Sequence, residues 1–523
     1  MRKEFRYGED ILTIGRAIKL VRGEEKAVLT ANMLDKVQKN REVVENIVHK
    51  KKIVYGINTG FGPLCTTLIG EEDTKKLQYN LLMSHSVGVG KLVDREIAKL
   101  MMVLKVHSLA KGFSGISTGT LQRIIWHIEN DIIPCVPEQG SVGASGDLAP
   151  LAHLFLPLIG LGKVWFNNKI KSSEEVLRQF NMQPVELGPK EGLALINGTQ
   201  FMSAFAVFIL EKLQNCLDCA DIIAAISLES MMGSVKSFDE ELHTLRPFSG
   251  SIYVAERLRK LLLNSEIVES HRNCTRVQDP YSLRCIPQVH GASRNAWVHM
   301  KEIMLTEINS VTDNPIIFSE EKTITGGNFH GQPVALPLDY TGLAAAEIGN
   351  ISDRRIYLSM IESVPGLPKL LMEHTGLNSG FMILQYTSAA LVSENKSLCF
   401  PASADSIPTS LGQEDHVSMG SISARKTLQI INNLEKILAI ELITSAQGFD
   451  FRKPLKSGIL VDEAHNLIRK YISFAESDRI FSEYIEQAIK LIQSKELVKH
   501  LNQIAEKNHI EFKNENHELF GIY

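Results

Sequence analysis

Charge of one sign in excess is the first thing missing. Lys and Arg number 56 against 60 Asp and Glu, a formal net charge of −4. Without a basic field there is nothing to hold a phosphate backbone or an anionic lipid surface, which argues against nucleic acid and membrane as partners. Cysteine is scarce as well: seven residues, an odd number scattered from Cys65 to Cys399. They form no disulfide framework and suit a reducing cytoplasm. Cys216-Leu217-Asp218-Cys219 has CxxC spacing but no second pair or histidine set, so it reads as helix packing and no metal site is assigned. Long apolar runs are also lacking. The longest uncharged stretch, Gly192 to Leu210, is interrupted by Asn197-Gly198-Thr199-Gln200 and reads as a buried helix end rather than a span. The opening residues Met1-Arg2-Lys3-Glu4-Phe5-Arg6 carry charge with no apolar run behind them, so neither secretory signal nor anchor is expected. No solenoid-period repeat, low-complexity tract or Pro-rich linker cuts the chain.

What is present in quantity is helical periodicity. From Met419 to Gln447 apolar residues recur at Ile422, Leu428, Ile431, Leu434, Leu438 and Leu442, with Gly448 as the expected stop. Phe201 to Met232, Tyr340 to Ile361 and Phe381 to Leu398 repeat the pattern, and Ile480 to Ile492 is a shorter amphipathic helix. Strand signals are short: Val164-Trp165-Phe166 before Lys169-Ile170, and Ile316-Ile317-Phe318 before Lys322-Thr323-Ile324, predict two hairpins. The expected class is all-α, a bundle of long parallel helices with a few short β-hairpins. Residues 1–200 are expected to form an N-terminal domain, 201–450 the bundle and 451–523 a peripheral helical cap.

One tripeptide carries unusual chemistry. In Gly143-Ala144-Ser145-Gly146-Asp147-Leu148 the amide nitrogen of Gly146 can attack the carbonyl carbon of Ala144. Loss of water from the ring, and of the Ser145 hydroxyl, then leaves an exocyclic methylidene, an electrophile needing no external cofactor. Small residues are required because the backbone must fold onto itself. Asp147 is a candidate proton acceptor for the dehydration, and a helix is expected from about Leu148. An ordinary Gly/Ser loop is the alternative, so the surroundings decide.

Those surroundings hold polar or glycine-rich islands in apolar context: Tyr55-Gly56-Ile57-Asn58-Thr59-Gly60-Phe61-Gly62, Ser84-His85-Ser86-Val87-Gly88-Val89-Gly90, Asn197 to Gln200, Gln278-Asp279-Pro280-Tyr281-Ser282-Leu283-Arg284, Gly327-Asn328-Phe329-His330 and Gln413-Glu414-Asp415-His416. With the Ala-Ser-Gly stretch, this set closely resembles the aromatic amino-acid ammonia-lyases, from about Leu12 to about Gly448. The resemblance implies a nearly all-helical fold related to the aspartase and fumarase bundles, and a homotetramer whose active sites draw residues from neighbouring subunits. It further implies a 4-methylidene-imidazol-5-one formed autocatalytically from Ala144, Ser145 and Gly146, to which the substrate amine adds. Carried over in the same way, Tyr55 removes the β-proton, Arg284 clamps the carboxylate with Asn197 and Gln278 adding hydrogen bonds, Tyr281 stabilises charge near the prosthetic ring, and Phe329 packs against the substrate.

The ring pocket points to L-histidine. Phenylalanine-specific relatives typically carry Phe-Leu where Ser84-His85 stand, tyrosine-specific ones His-Leu, and Gln is usual at the position of Glu414. A neutral imidazole has one donor and one acceptor, so a carboxylate and a second imidazole suit it. A phenyl ring would leave both unpaired, at roughly 1 to 3 kcal/mol for each buried polar group. Elimination of ammonia to trans-urocanate, the first step of histidine degradation, is the activity implied. Glu414 has the reach to act as the base itself, and Tyr55 and Glu414 both stand as candidates. A lyase or 2,3-aminomutase on another aromatic or modified-histidine substrate, and a silent structural paralogue, are the competing readings. Retention of Ser145, Tyr55 and Arg284 argues against the last. His290, Phe400 and Leu411-Gly412 depart from residues frequent in the family, and Tyr386 is expected on a helix near the site. The Asn197-Gly198-Thr199 glycosylation pattern and the Ser393 to Lys396 S-x-x-K pattern lack the context either would need.

Overall fold

Helices Gln200–Ser230, Gln332–Met360 and Gly420–Asp450 form the centre of the molecule, and all three run the same way. A computed structural model describes residues 4–60, 69–272, 276–361, 364–512 and 517–523; Phe61, Gly62, Cys65 and Cys274 fall outside these. At the starting end, Met202 lies against both Gly331 and Gly420, where a Cβ would come within 2.5 and 2.8 Å of its side chain. At the far end, Ser227 Oγ and Ser352 Oγ both donate to Glu441, at 2.7 and 2.6 Å. Helix Ile286–Glu307 packs antiparallel to them. Its Trp297 Nε1 donates to Leu210 O at 2.8 Å, and Ser293 Oγ to Ala344 O at 2.8 Å.

The apolar repeat explains why these segments sit inside. Nearly every residue of Gln200–Ser230 is buried, as expected of a helix that is apolar on all sides. The polar exceptions are paired across helices. Arg355 meets Glu441 in a bidentate contact at 2.5 and 2.9 Å, and Arg294 reaches Asp218 and Asp221 at 2.9 and 2.5 Å. Burial alone would raise the Asp221 carboxyl, but Arg294, His290 and Arg257 hold it well below the usual carboxylate range. Cys216 and Cys219 are fully buried on the same helix, among five free cysteines in the described residues, which is the packing role expected of them.

The two hairpins form as expected, Lys163–Phe166 with Lys169–Ser172 and Ile316–Ile317 with Thr323–Ile324. Sequence periodicity missed the parallel pair Phe5–Arg6 with Ala27–Val28 and the antiparallel pair Val89–Leu92 with Pro137–Gln139. Gly448 does not stop its helix, which continues to Asp450. A Cβ there would lie 3.1 Å from Ser230 Cβ, so the residue serves close packing between two helices rather than termination. Gln332–Met360 starts eight residues earlier than its apolar repeat suggests, with Pro337 inside. No helix of the described residues is long and apolar enough to cross a membrane.

Candidate active site

The loop from Ser141 to Asp147 lies across the starting ends of two core helices. Val142 O accepts from Met419 N at 2.9 Å, and Ser141 O accepts from Ser421 Oγ at 2.6 Å. On the other side Asp147 accepts from Met202 N at 3.0 Å, capping the Gln200–Ser230 helix. Burial of Asp147 pushes its carboxyl up to about 7. The backbone between is compressed: Gly143, Ser145 and Gly146 all have positive φ, at 88°, 51° and 83°. For Ser145 that conformation costs of the order of 1 kcal/mol or more, and neighbouring bonds hold it in place. Ser145 O accepts from Gly198 N at 3.2 Å and Gly198 O accepts from Asp147 N at 2.8 Å. A Cβ on Gly146 would come 2.2 Å from Gly198 O, and one on Gly143 would come 2.2 Å from Ser418 Oγ. Only glycine fits at either position.

Ser145 Oγ donates to Glu414 Oε1 at 3.1 Å. The other carboxylate oxygen accepts from Ser410 Oγ at 2.7 Å and Thr409 Oγ1 at 3.2 Å, which fixes its orientation. His85 ends helix Glu71–His85, half-buried, with Nδ1 3.0 Å from Ser84 Oγ. Burial lowers its pKa, with Glu414 acting in the opposite direction through space. The segment after it is tied to the loop, because Gly88 N donates to His153 Nε2 at 3.0 Å on the helix Leu148–Phe155 that follows Asp147.

Asn197 is buried, and its Nδ2 donates to Asn314 O at 2.6 Å and to Asp313 Oδ1 at 3.3 Å. Both amide protons are therefore used, which leaves the side-chain oxygen as its group for a substrate. Tyr55 lies half-buried in a turn closed by Val54 N to Asn58 Oδ1 at 3.0 Å and Gly56 N to Thr59 Oγ1 at 3.2 Å. Gly56 packs on Leu193 and on Pro315, next to Asn314, so the turn abuts the surroundings of Asn197. Phe329 is half-buried in a loop held to the Glu414 segment, since His330 Nε2 lies 3.2 Å from His416 O and the two rings stack at 5.8 Å.

Gln278, Tyr281 and Arg284 are elsewhere. Their segment is held at the finishing end of Gln200–Ser230: Asp279 accepts from Ser234 N at 2.6 Å, and Ser282 O accepts from Arg355 Nη1 at 3.4 Å. A helix of 31 residues separates them from Gly198 and Ser145, about 45 Å at 1.5 Å per residue. Arg284 stacks on the Tyr281 ring, 4.5 Å from its centroid, with Nε buried and without a partner among the described residues. Tyr281 is 70% exposed and Gln278 is exposed. Tyr386 lies exposed on helix Met382–Leu398 toward this second cluster, its neighbour Gln385 donating to Asp353 at 3.4 Å. One chain thus carries two incomplete clusters.

Comparison with known proteins resolves what the geometry belongs to. Residues 12–470 match the family described as aromatic amino acid lyase. The chain belongs to the aromatic amino acid lyase family. Among curated relatives of this lyase, histidine ammonia-lyase of Natranaerobius thermophilus is 45% identical over 487 residues, covering 93% of this chain and 96% of its own. The crystal structure of histidine ammonia-lyase from Trypanosoma cruzi superposes with a TM-score of 0.88 at 39% identity, over 96% of this chain and 95% of that one. Tyrosine aminomutase from Streptomyces globisporus superposes equally well, TM-score 0.90 at 31% identity over 98% and 100% of the two chains. Fold alone therefore does not choose among lyase-family substrates, and side chains at the site must.

The lyase loop fits a prosthetic group made from its own backbone. Glycines at Gly143 and Gly146 sit where any Cβ would collide, Ser145 is held with positive φ, and its hydroxyl is engaged by Glu414. No cluster of three metal-ligating side chains occurs among the described residues. Sequence reading missed Thr409 and Ser410, which orient Glu414, and Lys105 and Asp313, which back Asn197. Lys105 and Asp313 lie 92 and 116 residues from Asn197 along the chain, and Thr409 and Ser410, though only five and four residues before Glu414, sit in a segment with no periodicity to flag them.

Proposed function

We propose that this lyase is a histidine ammonia-lyase, converting L-histidine to trans-urocanate and ammonia as the first step of histidine degradation. The observation that carries the reading is the Ser145 to Glu414 contact, with His85 beside it. A carboxylate and an imidazole kept neutral by burial meet an imidazole substrate through complementary donors and acceptors. A phenyl or phenol ring would strand them.

The cyclised Ala144, Ser145 and Gly146 supply an electrophilic methylidene that accepts electrons from the substrate and makes its nitrogen a better leaving group. The chain's own side chains do the rest. Glu414, fixed by Thr409 and Ser410, holds the substrate ring, and either it or Tyr55 takes the β-proton. The Asn197 oxygen accepts from the substrate ammonium, while Phe329 packs against the ring. Arg284, with an unmet Nε, clamps the carboxylate together with Gln278, and Tyr281 faces the prosthetic group.

These last three residues come from a second copy of the chain. A closed assembly, a homotetramer, brings the far end of one bundle to the near end of another. Leu336, Tyr340 and Leu343 form an exposed apolar stripe on Gln332–Met360, 54%, 49% and 44% exposed, suited to such a contact. In this division residues 1–200 carry the prosthetic loop, 201–450 form the shaft that spaces the two clusters, and 451–523 cap it. The reading includes a cytoplasmic location.

The test is purified chain mixed with L-histidine, followed by the ultraviolet absorbance of the conjugated acrylate, with Ser145→Ala and L-tyrosine as controls. A rise with histidine that the variant abolishes is the expected result. Absence of a rise, or a β-amino acid product, contradicts it.

A further inference from the structure

Behind the prosthetic loop lies a cation with no carboxylate of its own. Lys105, on helix Arg95–Leu109, is 2% exposed, and its Nζ donates to Asn197 O in a very short contact and lies 3.5 Å from Gln200 Oε1. No carboxylate of the described residues comes within ion-pair distance of it. Asp313, the buried acid facing it, is paired with Lys190 at 2.7 Å. Burial pulls Lys105 down to about 7, with Asp313 and Asp147 acting to raise it and Lys190 to lower it further. An apolar side chain would fill this space without that desolvation cost.

The geometry gives the cost a use. Asn197 C=O and Gly198 N–H belong to one peptide group. Its oxygen is held by Lys105, and its N–H donates to Ser145 O at 3.2 Å. A cation on the oxygen strengthens the N–H as a donor, and chained hydrogen bonds in a dry interior reinforce one another. Ser145 O is the carbonyl that matters in the last step of cyclisation. After the Gly146 nitrogen bonds to Ala144 C, the carbonyl oxygen leaves as water with the Gly146 and Ser145 amide hydrogens. Then Ser145 Cα gives up its proton, Oγ leaves with it as a second water, and the electron pair becomes the exocyclic double bond. No oxidant is involved. Negative charge developing at Cα is delocalised onto Ser145 O, where Gly198 N–H waits.

We propose that Lys105 is a positioning residue for the self-cyclisation of Ala144-Ser145-Gly146, acting through the Asn197-Gly198 peptide to fix and polarise the Ser145 carbonyl. The inference rests on the proposed cyclisation. It concerns the making of the prosthetic group, and its readout is mass rather than turnover.

The experiment compares intact masses of wild type, Lys105→Met, Lys105→Gln and Lys105→Arg, purified alike, with circular dichroism as the check on folding. The wild-type chain is expected to be lighter than its sequence by two waters. Lys105→Met is expected to fold yet cyclise at least about tenfold more slowly, leaving most chains at full mass, and Lys105→Arg, which keeps a cationic donor, to recover. Should Lys105→Met not fold, the arginine and glutamine variants decide: more cyclised chain with arginine supports the role, equal completion in both overturns it. Complete two-water loss in a folded Lys105→Met also overturns it. A wild-type chain at full mass overturns the cyclisation reading itself, a distinguishable outcome.

Discussion

At the scale of residues, the site is a set of groups made costly by position. Ser145 with positive φ, the fully buried Asp147 carboxyl and the buried Lys105 amine, with no carboxylate partner among the described residues, each cost stability, and the packed helices around them offset it. Asp147 gives a pH signature with a definite sign. Burial raises its carboxyl to about 7 in the folded chain, well above the ordinary carboxylate value. The proton-bound form stabilises the fold fully below the unfolded value, and that stability is lost as pH rises through about 7. Relative to Asp147→Asn, which keeps the size and an acceptor for Met202 N, wild type is expected to lose melting temperature between pH 4 and 7 and to level off above. A difference that stays flat across the range contradicts the burial argument. The polar islands are legible as candidate positions because unlike residues interrupt apolar runs, as at Asn197 to Gln200. The partners that aim them were not: Ser410 and Lys105 look ordinary in sequence, and only folding places one against Glu414 and the other against Asn197.

At the scale of elements, the long helices are legible in type and nearly in extent, because a 3.6-residue apolar repeat over many turns leaves few alternatives. The misses have local causes. Gly448 looks like a stop, yet it sits where Ser230 approaches. Pro333 and Pro337 hid the first turns of Gln332–Met360: Pro333 sits in the first turn, where a backbone N–H has no partner within the helix, whereas Pro337 lies a turn further in and removes one helical hydrogen bond. The two-residue strands Phe5–Arg6 and Ala27–Val28 are too short for any alternation. Where the core helices cross, Glu441 is the joint, accepting from Ser227, Ser352 and Arg355. Glu441→Ala leaves a buried guanidinium unpaired and is expected to cost about 3 to 5 kcal/mol, seen as a lowered unfolding midpoint in denaturant. A loss under about 1 kcal/mol would mean that the apolar packing alone sets this crossing.

At the scale of the whole molecule, the parallel direction of the three core helices is what sets the two clusters at opposite ends of the bundle. Each starts near Ser145 and finishes near Arg284, so the bundle acts as a spacer of about 45 Å. In the proposed function the clusters complement one another chemically: one holds Ser145 in contact with Glu414, the other Arg284, whose buried Nε has no partner among the described residues. The sequence offers both sets of residues without indicating that they sit at opposite ends, because separation along a helix is visible only once its direction and neighbours are known. The most direct measurement co-expresses two inactive variants, Ser145→Ala and Arg284→Ala, and follows urocanate formation from L-histidine. If each site takes Ser145 from one copy and Arg284 from another, random mixing restores roughly a quarter of the sites, and activity returns to that level. If the mixture stays as inactive as either variant alone, the two clusters do not meet across copies and the composite site is wrong.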